Sequence, residues 1–121
     1  MKMKLPIKVY NEANNTDHWS KKAARRKSQK LAIYCTLKDV VTPEMLPCKI
    51  ILTRISPRKL DQHDNLPYAF KGILDSLCSL LVPDKAIGQA DSDSRIQVEY
   101  RQSKGEKYEC AMEIEILTIS D

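Results

Sequence analysis

No apolar run in this 121-residue chain approaches the length that spans a bilayer, so a membrane protein is not expected. Residues Met1 to Lys8 mix lysine with apolar residues and lack a long apolar stretch followed by a small-residue cleavage site. Nothing there looks like a secretory signal, and the cytoplasm is the expected location. The four cysteines, Cys35, Cys48, Cys78 and Cys110, form no CxxC pair, and only two histidines, His18 and His63, stand ready to complete a zinc set. Each cysteine has apolar neighbours, so free, buried thiols are expected and a disulfide framework is not. Neither histidine sits in a recognisable nucleophile motif, which leaves cysteine or serine catalysis without support. No internal repeat, low-complexity tract or interdomain linker interrupts the chain. A length of 121 residues buries one core, so residues 1–121 read as a single domain.

What is present is a globular composition, 42% hydrophobic and 30% charged, with an uneven charge distribution. Residues 1–60 hold 14 Lys or Arg against 4 Asp or Glu, and residues 61–121 hold 6 against 12, so a net charge of +4 conceals a basic half and an acidic half. A basic half can hold a polyanion while an acidic half binds a divalent cation, as phosphodiester chemistry needs. Solvated surface is the plainer reading of both.

Leu5, Ile7 and Val9 alternate within 2–10, predicting a first strand, with Pro6 marking an edge. From Trp19 to about Val40 there is no proline or glycine, and Ala24, Leu31, Ala32 and Cys35 suggest the apolar face of a long helix. Trp19 reads as a hydrophobic anchor for that helix rather than a base-stacking platform. Lys22, Arg26 and Lys30 recur every fourth residue, with Lys21 and Arg25 beside them, so cationic groups share one side of it. The β-branched run 48–55 predicts a second strand. After the polar connection 56–63, Asp64 is a plausible N-cap. Leu66, Phe70, Ile73, Leu74, Leu77 and Leu81 then follow at helical intervals, and Pro83 stops the helix. Leu77, Leu80 and Leu81 read as core before they read as a dimer surface. Residues 84–94 form a loop. Ile96, Val98 and Tyr100, then Tyr108, Cys110, Met112, Ile114 and Ile116, alternate about Lys104-Gly105-Glu106, predicting a C-terminal β-hairpin. The fold expected is α+β, one domain in which two helices pack on a mixed sheet.

The chemistry-bearing segment is Asp61-Gln62-His63-Asp64-Asn65, followed by Lys71 and then by Asp91-Ser92-Asp93. Mg²⁺ takes several oxygen ligands, so three or four aspartates brought together would hold one. Asp64 and Lys71 are seven residues apart, on one helix face, which lets an ammonium reach a phosphate near that metal. Caps and turn formers are the ordinary role of such aspartates. Lys22, Arg26 and Lys30 are the best candidates for DNA phosphate contacts, supplemented by Arg58, Lys59 and Arg101.

Leu60-Asp61-Gln62-His63-Asp64-Asn65-Leu66, then Phe70-Lys71 and Asp75, then Gly88 through Asp91, Asp93 and Arg95 to Tyr100, resembles the core signature of the RusA family of Holliday junction resolvases. The likeness extends upstream to Asn15, His18-Trp19 and the basic helix, and downstream to the closing hairpin. It implies a homodimeric, Mg²⁺-dependent nuclease that cuts branched DNA, with Mn²⁺ as a substitute ion. It also implies work in recombination and repair, often in phages and prophages. Carried over residue by residue, Asp64 is the aspartate of the Asp-Asn pair, Asp93 the aspartate before the strand, and Lys71 a displaced match to the family's lysine. Family members place a further aspartate where this chain has Gln62. Either Asp61 takes that role through a one-residue bulge, or a ligand is lost and the chain is a catalytically impaired nucleic-acid-binding protein. With the site intact, Asp61, Asp64, Asp91 and Asp93 hold the metal, and Lys71 stabilises charge at the scissile phosphate.

Overall fold

The nine residues Cys48–Ser56 form the most deeply buried strand of the domain, covered on both faces over most of its length. A strand so apolar gains most from a central position with a neighbour on each side. In the computed structural model, which describes residues 1–9, 19–58, 65–84 and 93–119, it has that position. The strands are β1 (Lys2–Leu5), β2 (Cys48–Ser56), β3 (Ile96–Lys104) and β4 (Ala111–Thr118), and they form one mixed sheet in the order β1-β4-β2-β3. β3 runs parallel to β2, with Cys48 opposite Ile96 and Leu52 opposite Tyr100. β4 runs antiparallel to β2, with Leu52 opposite Ile114, and β1 pairs antiparallel with β4.

The predicted hairpin does not form. β3 and β4 are consecutive and antiparallel, but β2 is inserted between them. Alternation of apolar residues decides which face a strand buries and says nothing about which strand lies beside it. The connection 105–110 must cross the end of β2, a gap of two strand spacings or roughly 10 Å. Gly105 makes that crossing, its N–H donating to the Ser56 carbonyl at 3.0 Å. A β-carbon on Gly105 would lie 2.8 Å from Glu109 Oε1 and 3.1 Å from Ile55 Cγ2, so the crossing tolerates no side chain without a shift.

Two helices cover one face of the sheet, α1 (Trp19–Leu37) and α2 (Asn65–Leu81). α2 is the β2-to-β3 crossover that a parallel pair requires. Its predicted apolar stripe is the buried one: Leu66, Phe70, Ile73, Leu77 and Leu81 are fully enclosed, and Leu80 is partly so. β1 is an edge strand, as Pro6 implied, and it ends at Leu5; Val9 joins the core beyond it. Tyr10 lies outside the described residues.

α1 buries a different face from the one predicted. Ile33 and Leu37, one turn apart, enter the core with Gln29, whose Nε2 donates to the Lys8 carbonyl at 3.1 Å. Ala24, Leu31 and Cys35 are exposed and only Ala32 is half-buried. The reason is length: the core lies under the C-terminal half of α1, and the two large apolar residues there set its rotation. Trp19, at the N-terminus of α1, is 73% exposed. The cysteines are free, with Cys48 and Cys78 buried as expected, Cys110 half-buried and Cys35 on the surface. Burial pushes the Cys48 thiol above its ordinary value. Among the described residues, no helix is long and apolar enough to cross a membrane.

Candidate nucleic-acid interface

Lys22, Arg26 and Lys30 share one side of α1, but that side turns toward α2. All three are half-buried. The Arg26 and Lys30 stems pass beside Gly72, where a β-carbon would meet Arg26 Cγ at 3.7 Å and Lys30 Cε at 3.9 Å. Its guanidinium donates to Tyr68 Oη at 3.2 Å and sits over the Tyr68 ring, 5.5 Å from the centroid. One turn on, the Lys30 carbonyl accepts a hydrogen bond from Ser76 Oγ at 3.2 Å. The stripe is therefore part of the seam between the helices, with aliphatic stems inside and charged ends at the rim.

Lys71 stands on α2 beside a shallow hollow of about 270 Å³ walled by Pro67, Tyr68, Leu74 and Tyr100. Tyr100 also faces Phe70, the ring centroids 5.9 Å apart. The Lys71 ammonium is 3.8 Å from Asp75 Oδ1, one turn along the helix. That oxygen is buried and accepts no hydrogen bond from the described residues.

Asp93 is 6% exposed and turns the chain into β3. Its Oδ1 accepts from the Arg95 backbone N–H at 2.9 Å and from Arg95 Nε at 3.0 Å, and its Oδ2 accepts from Arg95 Nη2 at 2.9 Å. The hydrogen bonds and charge of Asp93 raise the Arg95 guanidinium above its already high ordinary value. The Arg95 carbonyl accepts from the Cys48 N–H at 2.9 Å, so Asp93 stands at the end of the sheet where β2 begins.

Asp61, Asp64, Asp91 and Lys59 lie outside the described residues, as do Asn15, Gln62 and both histidines. Among the described residues no three acidic, histidine or cysteine side chains are close enough to hold a metal ion. Of the expected ligand set, Asp93 alone can be tested against Mg²⁺. It has the hard carboxylate chemistry the ion takes, but both oxygens already face a cation, and coordination requires Arg95 to swing away. With 53% of its side chain exposed, Arg95 has room to do so.

Arg58 is exposed just beyond the end of β2. Arg101 is on the opposite face of the sheet from the helices and pairs with Glu99, so it does not extend the α1 stripe. One cationic group escaped the sequence reading. Arg54 falls in phase with Cys48, Ile50 and Leu52, the core-facing positions of β2, and is 7% exposed. A charged residue in phase with a buried stripe was the signal that marked it.

No family model, curated protein or solved structure matches the chain.

Proposed function

We propose that this chain is a Mg²⁺-dependent, structure-selective endonuclease of the RusA type. It cleaves Holliday junctions or other branched DNA in recombination and repair, and acts as a homodimer so that two sites meet opposing strands. The observation that carries this reading is the positive charge on both sides of the Asp-Asn segment. Arg58 precedes it in the chain at the end of β2, and Lys71 follows it on α2, where Tyr68 holds the guanidinium of Arg26 from α1. Aspartates set between cations can meet a metal while the cations meet the phosphates on either side of a scissile bond.

In this reading Asp61, Asp64, Asp91 and Asp93 are the residues that would hold Mg²⁺, which when bound polarises a phosphoryl oxygen and supplies hydroxide at neutral pH. Lys71 stabilises the charge that builds on the phosphate oxygens, leaving its weak 3.8 Å contact with Asp75 to do so. Arg95 must release Asp93, and a guanidinium freed beside a phosphodiester becomes a further contact to it. The closed Asp93–Arg95 pair favours a second reading, a catalytically impaired protein that binds nucleic acid on the same scaffold. Gln62, in place of a family aspartate, favours it too.

The test is incubation of the purified protein with an end-labelled four-way junction in Mg²⁺, beside an Asp64→Asn variant. Symmetric nicks from the wild type alone are the expected result. Binding without cleavage, in Mn²⁺ as in Mg²⁺, overturns the nuclease and leaves the second reading. Equal cutting of linear duplex removes the junction preference.

A further inference from the structure

Where β2 ends, Lys8, Arg54, Arg58 and Lys107 line one hollow of about 370 Å³, together with Ser56 and Tyr108. The side chains come from three separate stretches of chain: the segment after β1, the end of β2, and the connection that crosses it. Among the described residues no carboxylate lines this hollow. Glu109, next to the connection's tip, is turned to Lys4 at 3.8 Å.

Arg54 is what makes the hollow a built site. Its Nε donates to the Val9 carbonyl at 3.0 Å and its Nη1 to the Arg58 carbonyl at 2.6 Å. These carbonyls orient the guanidinium and carry no net charge to balance it. Among the described residues no carboxylate meets this buried cation, an expensive arrangement, and burial pulls the Arg54 guanidinium below its ordinary value, the Cys110 side chain opposing that pull. Arginine stays protonated even so. Arg58 and Lys107 are exposed and add charge at the mouth, and the Lys107 ammonium is held 5.2 Å from the Tyr108 ring centroid.

We infer that this hollow is a binding site for a phosphate group, with Arg54 as its fixed floor and Arg58 and Lys107 as its adjustable walls. The guanidinium offers a fork that matches tetrahedral oxyanions, and cations on several sides suit a group that spreads its charge over several oxygens. Inorganic phosphate and the phosphodiester of a nucleic acid share that chemistry. The site stands whether or not the chain cleaves DNA, because it uses none of the aspartates.

The experiment titrates the isotopically labelled full chain with inorganic phosphate at constant ionic strength and follows the Arg54 side-chain Nε–H and the backbone amides of Arg58 and Lys107. Saturable shifts at these groups are expected. The Arg58→Gln/Lys107→Gln double variant changes exposed side chains only and weakens binding about tenfold or more. Lys2→Gln, on the far face of the sheet, leaves it unchanged. A short DNA duplex is then added to the phosphate-saturated protein. Competition for the same resonances assigns the site to a backbone phosphate, and no competition assigns it to free phosphate. A uniform, unsaturating drift with both probes overturns the proposal, as does equal phosphate affinity in the double variant.

Discussion

The open face of the sheet and the end of β2 both carry arginine and lysine, and they treat the charge in opposite ways. On the open face, Lys2 lies 3.9 and 3.8 Å from Glu113 and Glu115, Lys4 lies 3.8 Å from Glu109, and Lys49 and Arg101 share Glu99. Rows of alternating sign run across the strands there, in water, satisfying one another. At the end of β2 the cations gather, and the most buried of them, Arg54, donates to two carbonyl oxygens and meets no carboxylate among the described residues. A surface that neutralises itself has little left to offer a charged ligand. Arg54, Arg58 and Lys107 meet no carboxylate among the described residues, and this is why the second region, and not the more numerous ion pairs, points toward polyanions.

Truncation gives the sharpest test of that contrast. Arg54→Ala removes a packed stem and strands two carbonyls, and should cost about 2–4 kcal/mol of unfolding free energy. Lys2→Ala breaks contacts to two carboxylates and should cost under about 1 kcal/mol, because exposed ion pairs contribute little. Urea denaturation midpoints of both variants measure the difference. Similar losses would mean that Arg54 is ordinary surface and that the contrast between the regions is false.

The crossing at Gly105 belongs to the same end of the sheet and should show the next largest effect. Gly105→Ala places a methyl group 3.1 Å from both the Glu109 carbonyl and Ile55 Cγ2, besides the closer Glu109 carboxylate. A destabilisation of about 1–3 kcal/mol is expected from this overpacking. Phosphate affinity should fall with it, since Lys107 and Tyr108 are carried on the connection that would have to move. A Gly105→Ala protein as stable as the wild type would show that the crossing has slack.

Periodicity made the sheet's middle strand and α2 legible, because Cys48–Ser56 and Leu66–Leu81 each repeat their apolar residues on the period of one structure type. It could not make strand neighbours legible, so β3 and β4 read as a hairpin although β2 divides them. It also misjudged α1, where apolar residues are scattered around the helix and the choice of face belongs to Ile33 and Leu37. In the candidate site, the stripe Lys22-Arg26-Lys30 was visible as a stripe, while the seating of Arg26 against Tyr68 and of Lys30 against Ser76 joins residues far apart in sequence. Asp93 was readable as a turn former, and its closure on Arg95 agrees with that plainer role. Asp61, Asp64 and Asp91 fall outside the described residues.

Gly72 offers a smaller test from the helix-covered side. A β-carbon there meets Arg26 Cγ at 3.7 Å and Lys30 Cε at 3.9 Å, ordinary contact distances. Gly72→Ala should therefore raise stability by about 0.5–1 kcal/mol through the reduced freedom of the unfolded chain. It should leave the Arg26–Tyr68 contact in place. Loss of stability, read from the same urea midpoints, would mean that the two helices need the bare backbone and that the basic stripe is held more tightly than its distances imply.

The smallest effect comes from the open face, and its sign is fixed by Glu99. The hydrogen bond from Lys49, and after it the hydrogen bond from Arg101, hold the Glu99 carboxyl below the ordinary glutamate value of 4.5. A folded-state value below the unfolded one means that the ionised form favours folding. The contribution is fully present above about pH 4.5 and fades as the pH falls through the lower, folded-state value. Glu99→Gln should therefore differ from the wild type by a constant small amount at neutral pH and converge with it in acid. The Arg54 contrast should persist there, since no carboxylate among the described residues sustains it. Denaturation midpoints taken from neutral pH to pH 3 would separate the two regions. A Glu99→Gln difference that widened in acid would show that Lys49 and Arg101 do not set the behaviour of that carboxylate, and the picture of a self-neutralising face would fail.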